Sequence, residues 1–273
     1  MAIPSTAGYF GDASMLRRVQ RETAVQFSGP RALLMQAAHP LAFAGFFAHT
    51  GALDDPYGRL SRTAQVLGTI GWGSRAEADR ATRRVRAMHR RVRGELVQPV
   101  GRFPAGTAYA ADDPRLLLWI LATLVDSALV VHDRCVETLT RDERDAFWRD
   151  YRVIGRLFGL QEREMPGDID AFDDYMDEMI GGDDLHVTEE ARDLAVGIVM
   201  RPPVPLKRRP VLELVNFVTV GLLPARLRRQ YGFSWDPLRE LALRGGAEGA
   251  KRVLVPLAPE RLRLTPRARA HAA

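Results

Sequence analysis

Apolar residues along this chain recur mostly at spacings of three and four, and no alternating run is long enough for a convincing strand. The pattern predicts helices joined by short breaks. Ser14 caps a first helix running to Phe27, and Gly29-Pro30 ends it and opens a second to about Ala48. The second helix is apolar nearly all round, which predicts burial on several sides. Pro40 lies inside it and should kink it, because proline removes a backbone donor. Asp54-Asp55-Pro56 reads as a loop and Tyr57 to Trp72 as a third helix. Ser74 and Glu77 form a capping box that opens a fourth, reaching about Leu96.

Residues 98–111 read as loop. Pro114 then begins a long helix to about Leu139, whose apolar stretch from Leu116 to Val131 is interrupted by Asp126. It falls short of a bilayer span and predicts a buried helix. Thr140 and Glu143 make a second capping box, with a helix to about Phe158. Further helices are expected over Asp168–Ile180, Thr188–Met200, Val211–Leu223 and Pro224–Tyr231, and from Asp236, with Arg201–Pro205 as a linker-like break. The expectation is an all-α single domain over 1–273, a helical bundle globin-like in character with nine to eleven helices. Its core spans about 14–240, and a basic C-terminal tail occupies about 251–273.

Charge changes this picture little. The net charge is +5, and arginine supplies 37 of the 39 basic residues, a skew that reflects coding composition better than phosphate recognition. Acids interleave with the bases over most of the chain, so no nucleic-acid partner is expected. Only the tail is one-sided, and it reads as solvated or mobile, with weak contact to acidic membrane surfaces as the functional alternative. Cys135 is the lone cysteine, and the first residues lack a basic start followed by an apolar core. Both suit a cytoplasmic protein.

The candidate chemistry lies on the third and fourth helices. Arg59 and Thr63 are four apart and share a face, beside a stripe of Leu60, Ala64 and Leu67. Thr63 is therefore expected near the core with Arg59 close by, where a guanidinium wants an anionic partner such as Asp54, Asp55 or a ligand carboxylate. Val85, Met88, His89, Val92 and Leu96 form the apolar stripe of the fourth helix, so His89 is expected to point inward. Alone it reads first as an interior histidine satisfied by a hydrogen bond. No His or Cys stands three or four positions away, which argues against zinc but not against haem, whose porphyrin supplies four ligands itself. His39, before the kinking Pro40, reads as held by exposed backbone acceptors, and His132 as a surface or packing residue. No phosphate loop, nucleophile elbow or His-Glu-x-x-His motif is present.

Several segments carry a resemblance in their order and spacing. They are Gly29 to Pro40, Arg59-Leu-Ser-Arg-Thr63, Met88-His89, Trp119 to Ser127, Leu139 to Glu143, and Leu222 to Gly232. Over about residues 14–240 the chain resembles the MpaB / latex-clearing-protein oxygenases, an all-helical b-type haem family. The resemblance implies a haem pocket with His89 as proximal iron ligand and Arg59 and Thr63 beside the haem. Arg62 stands where the latex-clearing proteins have a lysine able to bind the distal iron face, and a guanidinium offers no lone pair for that. The rubber-cleaving members use a distal glutamate as base, whereas this chain has no Glu between Glu22 and Glu77. The reading is a haem-dependent oxygenase taking dioxygen and an apolar, isoprenoid or otherwise unsaturated small molecule, with Thr63, Arg59 and Arg62 around the reaction. The alternative is a non-catalytic haem-binding protein for gas or haem sensing or storage.

Overall fold

The computed structural model describes residues 7–48 and 56–272, apart from the side chains at 46–48, 56–57, 59–60 and 272. The chain is all-α. Its helices are α1 (Met15–Gln20), α2 (Ser28–Ala37), α3 (Pro40–Ala48), α4 (Pro56–Trp72), α5 (Arg75–His89), α6 (Pro114–Cys135), α7 (Arg141–Phe158) and α8 (Ile169–Gly181). They continue as α9 (Glu189–Met200), α10 (Arg209–Leu222), α11 (Ala225–Gln230), α12 (Pro237–Gly249), α13 (Val255–Leu257), α14 (Glu260–Arg263) and α15 (Pro266–Ala272). Ten of those among the described residues are nine residues or longer, within the expected number.

The core is built around α6, with Asp113 as its N-cap and Pro114 in its first turn. Trp119, Ala122, Val125 and Ala128 are fully enclosed, packing with Leu34 and Met35 of α2 and Phe147 and Trp148 of α7. Contrary to the sequence expectation, α6 is long and apolar enough to cross a membrane, but most of its apolar window is buried inside the protein, as expected of a core helix. Both expected capping boxes form, Ser74 with Glu77 and Thr140 with Glu143.

Three helix boundaries differ from the sequence reading. The first helix stops at Gln20, and a 3-10 turn follows over Thr23–Phe27. Between them Glu22 turns inward, only 2% exposed, to meet Arg263. Pro40 does not kink one helix but separates two, since it lacks the N–H that would continue α2. Just past the end of α2, the Ala38 carbonyl accepts from the His186 N–H at 2.8 Å.

The fourth helix ends at His89, not near Leu96. Beyond it β1 (Arg93–Glu95) pairs antiparallel with β2 (Ala108–Ala110), a ribbon the sequence reading missed. Val92 and Leu96 are buried under α3, but as neighbours of a strand. A spacing of four satisfies the helical period and the strand period of two alike, so pattern alone does not separate them.

The basic tail is also not simply solvated. The Arg263 guanidinium donates to both Glu22 carboxylate oxygens at 3.0 Å, and the Thr265 N–H donates to the Arg21 carbonyl at 2.8 Å. Thr265 and Ala268 are buried, and the His271 ring meets Trp72 of α4.

Candidate functional site

The predicted residues sit on the α4–α5 hairpin. Gly73 and Ser74 make its turn, and a side chain at 73 would run into the Thr69 carbonyl at 2.6 Å. So short a connection sets the helices antiparallel, and they pack against each other. At about 1.5 Å of rise per residue, His89 comes level with Arg59 and about a turn and a half beyond Thr63. The hairpin thus gathers the two halves of the candidate site at its open end. Arg59 belongs to α4, and its side chain lies outside the described residues.

Burial there departs from expectation. Ser61, Arg62, Thr63, Ala64 and Gln65 are all exposed, so Thr63 is not near the core, while Ile70 on the same helix is fully buried. Met88 is 45% exposed and His89 half-buried at the last position of α5. The reason is the short α5. With Val92 and Leu96 drawn off beneath α3, the remaining stripe is too short to seal His89 inside. Its ring stacks on Phe158, the last residue of α7, with centroids 6.5 Å apart. The carbonyl end of α5 carries partial negative charge, which suits an imidazole donating to a cation.

Among the described residues, the buried histidines are His132 and His39. His132 on α6 is wholly enclosed, with Nδ1 3.0 Å from the Glu137 carbonyl and Nε2 buried without a partner. It is a core residue, not a surface one, and burial lowers its pKa. His39 is 6% exposed against Phe103, and its Nδ1 finds none of the acceptors expected from a kink. Burial pushes its pKa down to about 4. Among the described residues, no group of three His, Cys, Asp or Glu side chains is placed to hold a bare metal ion.

Sequence reasoning missed a polar clamp at the centre of the fold. Arg31 of α2, 3% exposed, donates to Asp126 at 2.5 Å and Ser127 at 2.7 Å, both on α6, and to the Leu222 carbonyl of α10 at 2.7 Å. Nearby, the Tyr231 hydroxyl donates to the Leu34 carbonyl at 2.7 Å, and Gln36 to Thr123 at 2.9 Å. Three segments far apart in sequence therefore converge here: Gly29–Pro40, Trp119–Ser127 and Leu222–Gly232. The only signal available was an Arg inside an otherwise apolar helix.

The model of the family described as ER-bound oxygenase mpaB/B′/rubber oxygenase, catalytic domain, matches residues 16–252. The chain belongs to this oxygenase family. The matched span takes in the whole α4–α5 hairpin, the Arg31 clamp and α12. Similar proteins include the uncharacterised Mb2261 of Mycobacterium bovis and Rv2237 of Mycobacterium tuberculosis, each 29% identical over 67% of this chain and 68% of its own length. No solved structure matches.

Proposed function

We propose that this protein is a haem-dependent oxygenase of an apolar, unsaturated small molecule, with His89 as the protein ligand to the iron of haem b. The observation that supports it best is the family match running unbroken through α4 and α5, where a half-buried imidazole stands at the open end of the hairpin. The donor chemistry fits: one imidazole suffices when a macrocycle supplies the remaining equatorial ligands. Phe158 gives His89 an aromatic wall, and the arginines of α4 bring charge suited to propionates.

When bound, the haem iron would supply activation of dioxygen. This chain's own residues hold and orient. His89 fixes the metal side of the site. The Thr63 hydroxyl, on the neighbouring helix, would offer a hydrogen-bond donor to an oxygen atom held in the site. Arg59 and Arg62 neutralise anionic groups, and neither serves as a proton acceptor, because guanidinium stays charged. The apolar residues of α3 would keep water away from the substrate. The lone Cys135 suits a cytoplasmic setting.

One observation favours the alternative, a non-catalytic haem binder. Glu22, the last glutamate before Glu77, is buried and held by Arg263 and Arg21, so it is no candidate base. An absorption spectrum of the isolated protein, with and without dithionite and carbon monoxide, tests the haem reading. A Soret band lost in His89→Ala supports it, and a colourless protein that takes up no added haemin rejects it. Oxygen-dependent turnover of an isoprenoid then separates enzyme from binder.

A further inference from the structure

Among the described residues, the large hydrophobic side chains left exposed are unevenly distributed. All but Met88 and Val97 lie at or beyond Leu206. Leu206, Val211 and Leu214 are 74%, 60% and 56% exposed at the start of α10, and Leu238 and Leu241 are 78% and 68% exposed on α12. α10 and α12 pack against each other. Glu213 of α10 and Arg239 of α12 line a common open groove of about 370 Å³, with Phe217 and Trp235 between them.

Charge lies beside the exposed apolar residues of the 206–214 segment. Lys207, Arg208 and Arg209 are consecutive and exposed, and none makes an ion pair among the described residues. The arginines of α12 differ: Arg239 pairs with Asp236, and Arg244 with Glu240. Pro205 and Pro210 bracket the basic triplet and restrict its backbone, so presenting it costs little ordering entropy. Cations bordering exposed leucine and valine complement an anionic lipid surface, where headgroups meet the charges and the apolar side chains enter the boundary beneath them. α5 makes the contrast. Its exposed arginines, such as Arg83, Arg84 and Arg90, are interleaved with no comparable group of exposed leucines.

We propose that the Leu206–Leu214 segment docks this protein onto anionic membrane surfaces. The docking is peripheral and reversible, with Lys207, Arg208 and Arg209 reading headgroup charge and Leu206 and Val211 inserting. It does not depend on the haem reading.

Sedimentation of the full chain with phosphatidylcholine vesicles, with and without phosphatidylglycerol, tests this. Binding is expected only with phosphatidylglycerol, weakening as salt is raised. K207E/R208E/R209E should weaken it at least about tenfold. L206D/V211D should also weaken it at low salt, with the circular dichroism spectrum unchanged. Failure to bind anionic vesicles overturns the proposal, as does loss of binding in R83E/R84E/R90E but not in the 207–209 variant. Light scattering covers the rival occupant: a dimer dissolved by L206D/V211D, with no vesicle binding, would assign the surface to a second copy of the chain.

Discussion

α6 and α5 are both long helices with well-formed N-terminal caps, and they are held in opposite ways. α6 buries a dozen residues, including Trp119 and Thr123, on nearly every face. α5 buries only Ala78 and Thr82, and it ends at a half-buried histidine. Capping and periodicity therefore start a helix but do not decide what it is for. The enclosed helix organises the core, while the thinly packed hairpin presents its side chains, as expected where binding groups must meet a ligand.

Substitutions should break the two helices unequally. The largest effect is expected at the α2–α6 clamp. Arg31→Ala leaves Asp126 and Ser127 without their buried donor, and should cost about 3–5 kcal/mol in chemical denaturation. A loss under about 1 kcal/mol would show that water replaces the guanidinium. Trp119→Ala, which empties a fully enclosed site on α6, should cost a similar amount, about 3–5 kcal/mol.

Next comes pH. His39 is neutral when folded, with a pKa near 4 against about 6.5 unfolded. The unfolded chain thus binds the extra proton between those values. Stability is fully present above about pH 6.5 and is lost as pH falls towards 4, by about 3 kcal/mol from this group. His132, lowered in the same direction, adds to the loss. Denaturation midpoints across that window should fall for the native chain and fall less for His39→Asn. Equal slopes would place the titration elsewhere.

On α5 the effects shrink. Ser74→Ala removes one arm of the capping box and should cost about 1 kcal/mol by thermal melt. His89→Ala and Thr63→Ala should change stability by under about 0.5 kcal/mol, because Thr63 is exposed and His89 half-exposed. Their effect should appear in haem uptake instead, with His89→Ala the more severe. A His89 variant as destabilised as Trp119→Ala would make His89 a packing residue and dissolve the contrast.

Much of this was legible in the chain. The helices at Thr140, Asp168 and Thr188 begin where the sequence placed them, and each of these residues is an N-cap, which satisfies backbone N–H groups only a few residues away. The buried character of α6 follows from its composition alone. The family resemblance was legible too, through segments whose meeting point, Arg31, was not. Its role depends on Asp126 and the Leu222 carbonyl, 95 and 191 residues away.

The sequence by itself determined the all-α class and the caps, because these rest on local spacing and residue chemistry, and it offered Arg59, Arg62, Thr63 and His89 as candidates through the family resemblance. Only the tertiary structure decided that Pro40 divides two helices and that Val92 and Leu96 leave α5 for a ribbon. It also decided that Glu22 turns inward to Arg263, and that Thr63 and His89 stand at the surface and not in the core. Each of those outcomes turns on a partner distant in sequence, and a local pattern carries no record of it.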